Sequence, residues 1–434
     1  MASLVPNLLP RIEANALYGL NAGTGAIYPH YDGMSLVNLP ASICHWLGAP
    51  TFGARPLADE ILSALPGQYR HVILLVVDGL GLQQLEQLSQ PSQPGAPASG
   101  RFAFWKRLMD QAVLAPITSI APSTTASALT SLWTGQPAAS HGIMGYEMYM
   151  KEYGVIANMI THSVATFSSD VGGLRRAGFD PSTFMTVPTL GPHLAANGIQ
   201  TTVLQHAAIA HSGLSTMLLS SADVVPFRSS SDLWVTLPGV LESHAAETTY
   251  TYIYWGELDE LSHKFSPGDR RVELEFTLFS YLLDGFINEM RKHASGDTLL
   301  LITADHGHLY TPQIANLETR FHPGFTSNLH MVPSGENRLA YLYLRPNREE
   351  QLREYIENNW PGRFQLVSSE IALRSGLFGS GEPHYRLSER VGDFILFAQN
   401  DSYLWWADKN NPLYGRHGGL TRTEMIVPLI GLVI

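Results

Sequence analysis

The stretch DTLLLITADHGH, residues 297–308, decides how the chain folds. From Thr298 to Thr303 every residue is apolar or β-branched, which suits a strand of a parallel sheet covered on both faces. The run then stops at Asp305, His306 and Gly307. In open α/β sheets, polar residues just past the carboxyl ends of strands line the ligand crevice. Two other buried-strand patterns end in the same way: HVILLVV (71–77) runs into Asp78, and TTYTYIYW (248–255) runs into GELDELSH, with Asp259 and His263. A fourth run, GIQTTVLQ (198–205), has the same character. A lone Asp after a strand is ordinarily a helix cap or a turn former. Three such sites, two of them carrying histidine, point instead to a site shared between strands.

Between these runs lie helical patterns, LTSLWTGQ after Ala128 and VELEFTLFSYLLDGFINEMRKHA (272–294), with apolar residues three and four apart. Alternating strand and helix predicts an α/β sandwich, a mostly parallel central sheet flanked by helices. Residues 1–320 read as the main part of this domain. Residues 321–390, with LAYLYLR, EEQLREYIENNW and FQLVSS, read as an inserted α+β cap subdomain, and 391–434 as the return to the main domain, with VGDFILFAQ (391–399) rejoining the main sheet. Segments 88–101 and 226–233 read as surface loops from their Pro, Ser and Gly content.

Composition bounds the function. A chain of 434 residues, 45% hydrophobic and 15% charged, buries a large core. Its net charge of -11 argues against an extended nucleic-acid surface, though metal ions in a cleft would reverse the local field. Cys44 is the single cysteine, so an intramolecular disulfide and a cysteine-rich metal site are both excluded, and a small buried hydrophobe is its expected role. The N-terminal segment lacks a basic stretch leading into an apolar run, and VILLVV and IVPLIGLVI are far shorter than the ~20 residues of a membrane span. A soluble, cytoplasmic protein is the expectation.

Carboxylates and imidazoles without thiolates form the donor set of catalytic zinc, with manganese or magnesium as alternatives where carboxylates dominate. Asp259 and His263 stand four apart, on one face of a helical turn. Asp305 and His306 can converge in a tight turn that Gly307 permits. His417, in YGRHGGLTRTEMIVPLI, precedes two glycines that let backbone pack close to a site. Finally, ITSIAPSTTASALTSLWTGQPAASHGI (117–143) enters a helix through Ser123, Thr124 and Thr125. A hydroxyl there suits anionic chemistry, because free backbone N–H groups and the helix dipole favour an oxyanion, and it equally suits an ordinary N-cap.

Taken together, VVDG, APSTTASALTSLWTGQPAASHGI, ELDELSH, TADHGH and RHGGLTRTEMIVP resemble the alkaline phosphatase superfamily, specifically its type I phosphodiesterase/nucleotide pyrophosphatase family, over about residues 70–434. The resemblance implies an alkaline-phosphatase-like sandwich and two zinc ions, with manganese as a substitute. Asp259, His263 and His417 would hold one, and Asp78, Asp305 and His306 the other, with the Thr125 oxygen completing its shell. Aligning Thr134-Gly135 and Ser140–Ile143 with the family motif puts the nucleophile on Thr125, with Thr124 as the alternative, and implies a covalent phosphothreonine intermediate. The implied substrate is a small phosphorylated molecule, a nucleotide or other phosphodiester or pyrophosphate. Tyr146 stands where the family has a phosphate-binding asparagine, and is the substrate-binding candidate. Ala126, Ser127 and Ala128 replace the family's aromatic, proline and asparagine, so the nucleotide pocket does not carry over. His141 is expected to hold the turn in SHG, and His308 to orient a metal ligand. A phosphomonoesterase of the same superfamily is the closest alternative, disfavoured by the lack of Arg or Lys in the motifs near Thr125; a metal-stabilised binding protein without turnover is the other.

Overall fold

In the computed structural model, which describes residues 3–90, 100–165, 170–292 and 295–434, the run at Thr298–Thr303 lies inside a seven-stranded sheet. The strands stand in the order Val113–Thr118, Ile426–Val433, Thr298–Thr303, His71–Val77, Thr249–Trp255, Gln200–His206, Asp223–Phe227. The pairs among the last five are parallel, while Ile426–Val433 runs antiparallel to both its neighbours. Register explains why the acids meet. His71 lies opposite both Thr298 and Thr249, so Val76 faces Thr303 and Val77 faces Trp255, and the three chains leave the sheet at one edge.

Helices cover the sheet because their apolar residues fall on one face. In Arg270–Lys292, Val272, Phe276, Phe279, Leu283, Phe286 and Ile287 are buried. Phe276 stacks on Trp105 at 5.3 Å and Phe279 on Trp255 at 4.6 Å, which fastens the helix to the end of the central strand that leads into Asp259. Truncating such a ring to alanine typically costs about 3–5 kcal/mol. Cys44 is buried and free.

A second seven-stranded sheet is antiparallel, in the order Phe364–Ser368, Phe394–Ala398, Leu339–Leu342, Ser334–Glu336, Glu147–Met150, Val155–Asn158, Ser163–Val164. Beside it Leu342, Leu352, Ile356, Trp360, Phe394 and Leu396 form a separate apolar core. The molecule is thus an alkaline-phosphatase-like α/β sandwich with an inserted α+β subdomain. VGDFILFAQ does not rejoin the main sheet: Phe394–Ala398 pairs with Phe364–Ser368 and Leu339–Leu342, and the chain re-enters the main sheet at Ile426. An apolar run signals burial but does not name its partner strand. Segment 226–233 is likewise not a loop throughout, since it closes the strand Asp223–Phe227 and opens the helix Ser230–Ser243, capped by the Ser229 side chain. Residues 91–99 of the loop expected at 88–101, and 293–294 of the expected helix, lie outside the described residues. Among the described residues no helix is long and apolar enough to cross a membrane.

Candidate metal and active site

Asp78 follows directly on the strand His71–Val77, its N–H donating to the Trp255 carbonyl at 2.9 Å. Tyr254, from the neighbouring strand, donates its hydroxyl to Asp78 Oδ2. Asp305 and His306 follow the strand Thr298–Thr303 and are fully buried. Asp305 Oδ1 accepts from the N–H groups of Gly79 (3.2 Å) and His306 (3.0 Å), which knits the two strand ends together. Gly307 serves this corner differently from expectation. It does not adopt a positive φ; a Cβ there would lie 1.9 Å from the Thr423 carbonyl oxygen, so glycine is required for close approach of the C-terminal segment.

Asp259 and His263 sit on the helix Glu257–Phe265, one turn apart, with Asp259 Oδ2 3.5 Å from His263 Nε2. His417 arrives from the far end of the chain. The short antiparallel ladder Leu309–Tyr310 with Gly415–Arg416 draws its loop against the residues that follow Asp305. The two glycines after it permit the fit. Gly418 has φ +100° and packs on Glu336, and Gly419 donates to Glu424 Oε1 at 2.9 Å.

The structure therefore brings all six proposed ligands together. Asp259, His263, His308 and His417 place one donor atom each within 4.8 Å of one another, and so do Asp78, Asp259 and His306. His306 Nε2 is also 3.5 Å from Asp305 Oδ2 and 3.2 Å from Thr125 Oγ1. Thr125 is the first residue of the helix Thr125–Thr134, whose leading N–H groups have no intrahelical partner. Thr124, at the N-cap, makes no side-chain cap and bonds Glu336 instead. Ser123 Oγ donates to the Gly419 carbonyl at 2.7 Å, tying this turn to the His417 loop.

The hydrogen bonds around these side chains test whether a cation fits. His263 Nδ1 lies 2.9 Å from the Gly415 carbonyl, His417 Nδ1 3.1 Å from that of Ser123, and His306 Nδ1 3.2 Å from that of Gly307. A carbonyl can only accept, so each Nδ1 carries the hydrogen and each Nε2 is left with a bare lone pair, the tautomer of a metal ligand. His263 Nε2 and His417 Nε2 then face each other at 3.2 Å with no proton between them. Among the described residues, Asp78 Oδ1 and Asp305 Oδ2 are buried without a hydrogen-bond partner. Lone pairs crowded in this way repel unless a cation lies among them.

The charges agree. Burial, then the charges of Asp259 and Asp305, push the Asp78 carboxyl well above its ordinary range. Burial would push Asp259 up as well, but His263, His308 and His417 outweigh it and hold that carboxyl well below. Burial, reinforced by His306, pushes His417 far down and keeps it neutral.

Tyr146 is 40% exposed; its N–H donates to Glu336 Oε1 at 2.6 Å, and its phenol bonds Asn158. Since Thr124 bonds the same Glu336, the Tyr146 backbone is linked to the turn that carries Thr125. His141 accepts from the Ile143 N–H at 3.0 Å and meets Ser131 at 3.1 Å, a structural tie within the SHG turn. Sequence reasoning missed Tyr254 and Glu336. Tyr254 left one signal, as the last of three alternating tyrosines, Tyr250, Tyr252 and Tyr254, in a buried strand aimed at the site. Glu336, an isolated acid in the second sheet, left none.

A family model described as type I phosphodiesterase/nucleotide pyrophosphatase matches residues 72–420. Among solved structures, murine ectonucleotide pyrophosphatase/phosphodiesterase 5 is similar at 15% identity and TM-score 0.60, over 83% of this chain and 87% of the other. It is also known as an inactive threonine-to-alanine variant in complex with AMP. Phosphonoacetate hydrolase from Sinorhizobium meliloti, in complex with phosphonoformate, is similar at 19% identity and TM-score 0.56, over 84% and 90%. No curated protein matches the sequence.

Proposed function

Starting from a chain that belongs to the type I phosphodiesterase/nucleotide pyrophosphatase family and is a phosphoric-ester hydrolase, we propose that it cleaves phosphodiester or pyrophosphate bonds of small phosphorylated molecules, with two zinc ions and Thr125 as nucleophile. One observation carries this reading: the bare Nε2 atoms of His263, His306 and His417 converge with three carboxylates beside a threonine at a helix start. Asp259, His263 and His417 would hold one ion, and Asp78, Asp305 and His306 the other, next to Thr125. Bound there, zinc supplies Lewis acidity that lowers the pKa of a hydroxyl and offsets charge developing on phosphoryl oxygens.

The chain's own residues do the rest. Thr125 Oγ1 attacks phosphorus in line, the bond to the leaving oxygen breaks, and a phosphothreonine forms. Water then attacks the same phosphorus from the vacated side, the bond to Oγ1 breaks, and threonine is restored. The first N–H groups of the helix Thr125–Thr134 and its positive dipole end stabilise the anionic phosphoryl group meanwhile. Tyr146 is the proposed donor to a non-bridging oxygen, and its phenol stays protonated because burial and then Glu147 push its pKa up.

A diester preference is favoured by where Arg416 and Arg338 go. Arg416 donates to Thr311 and Asn411 and lies 3.7 Å over the Tyr403 ring, and Arg338 is paired with Glu424. Neither is available for the extra charge of a monoester. Zinc content and hydrolysis of bis(p-nitrophenyl) phosphate and p-nitrophenyl phosphate, in wild type and Thr125→Ala, test the reading. Full activity in the variant would remove Thr125 from the role. Zinc binding without turnover would favour a metal-stabilised binding protein. Monoester preference by orders of magnitude would replace the phosphodiesterase by a phosphomonoesterase.

A further inference from the structure

Four side chains surround the space between Asp259 and His417, and one of them differs from the rest. His263 and His417 each present Nε2 with Nδ1 anchored on a backbone carbonyl. His308 has its Nε2 2.5 Å from Asp259 Oδ1, while its buried Nδ1 has no hydrogen-bond partner among the described residues. We propose that His308 is a positioning residue: it donates its Nε2 hydrogen to Asp259 Oδ1 and so orients that carboxylate, without itself being a fourth ligand. This rests on the reading that Asp259, His263 and His417 hold a metal.

Two separate features carry the inference. The first is spacing. Ligands at the corners of a tetrahedron with zinc bonds of about 2 Å lie roughly 3.3 Å apart. His263 Nε2 to His417 Nε2 is 3.2 Å and His263 Nε2 to Asp259 Oδ2 is 3.5 Å. The 2.5 Å between His308 Nε2 and Asp259 Oδ1 is too short for two such corners and puts the two atoms in direct hydrogen-bond contact. The second is the tautomer. A ligating histidine has its other ring nitrogen fixed by an acceptor, as His263, His306 and His417 do. His308 spends its one hydrogen on Asp259, and its other ring nitrogen is buried without a hydrogen-bond donor among the described residues.

The fold makes room for this role. Gly79 allows the contact, since a Cβ there would come within 2.9 Å of His308 Cδ2 and 3.4 Å of the Asp259 Cα. With three protein ligands rather than four, a metal held there would keep an open position for substrate or water, as catalytic zinc sites do. His308 also leaves the sheet three residues after Asp305, so it joins a carboxylate on the helix Glu257–Phe265 to the strand end that carries the other half of the site.

Metal binding to the full chain tests the proposal without turnover. His308→Leu removes the donor and His308→Gln keeps one. By competition against a chromophoric zinc chelator, His308→Leu should weaken one of two zincs about 10–100-fold, with His308→Gln within a few-fold of wild type. In 15N-labelled wild type loaded with 113Cd, cadmium coupling should appear at Nε2 of His263 and His417 and be absent from His308. This measurement needs no variant, and so stands if His308→Leu does not fold. Coupling to His308, or equal losses in Leu and Gln, would make it a ligand and overturn the proposal; unchanged affinity in His308→Leu would leave it no role. If wild type binds zinc yet hydrolyses no ester, the hydrolase reading falls and the binding data still decide His308. If wild type binds no metal, both fall.

Discussion

Asp78, Asp305 and His306 leave the ends of two adjacent strands and are almost wholly buried, whereas Asp259 and His263 ride on a helix with side chains 16% and 27% exposed. The first group is fixed by the sheet itself, since the register of His71–Val77 against Thr298–Thr303 sets where its members emerge. The second is assembled from a helix and a loop 154 positions further on, and its geometry depends on what holds that loop. A buried ion pair does so. Arg338, from the second sheet, pairs with Glu424 at 2.6 Å, both side chains fully buried, and Glu424 accepts from the N–H groups of Gly419 and Thr421. One half of the site is therefore set by the main sheet alone, and the other depends also on a loop that the second sheet braces through Arg338.

Four experiments press on that contrast. Thr125→Ala should lower kcat on a diester at least ~10³-fold while both metals remain, and Thr124→Ala should change it only a few-fold, read by steady-state kinetics with metal analysis. Asp305→Asn and His263→Ala should each lose about 10²–10³-fold in kcat/KM, but excess zinc should restore much of the loss only for His263→Ala. Asp305 also binds two backbone N–H groups, so its loss disturbs the strand ends; rescue of both variants alike would erase the distinction. Arg338→Ala, which strands the Glu424 carboxylate, should destabilise the protein by about 3–5 kcal/mol in denaturant titration and weaken the metal of His417 before that of Asp305. Last, Tyr146→Phe should raise KM for a diester about 5-fold, the worth of one hydrogen bond, with kcat and zinc content unchanged.

What the sequence disclosed follows the same line. The runs at 71–77, 248–255 and 297–303 announce parallel strands because residues buried on both faces leave no alternation, and the acids behind them stand where such sheets keep their chemistry. Local pattern cannot say which sheet a buried strand joins, so VGDFILFAQ reads as a main-sheet strand but pairs in the second sheet. The same blindness hid the strands Glu147–Met150 and Val155–Asn158, which pair within the second sheet. Gly307 was noticed for its backbone freedom, but its reason lies in Thr423, more than a hundred residues away. Glu336, Tyr254 and the Arg338–Glu424 pair belong to contacts between distant segments, and such contacts leave little trace in local spacing.

The strand Ile426–Val433 lies between Val113–Thr118 and Thr298–Thr303, not at an edge. This placement imposes an order on synthesis. While the ribosome adds ~5–20 residues each second, a nascent chain several hundred residues long carries its acids and nucleophile but lacks the inner strand and the His417 loop that close the centre. Pairing across so long a separation is slow, because loop-closure entropy must be met before the contacts form. Until Ile426–Val433 and the His417 loop are made, Val113–Thr118 and Thr298–Thr303 lack the strand that pairs with both, and the centre cannot close.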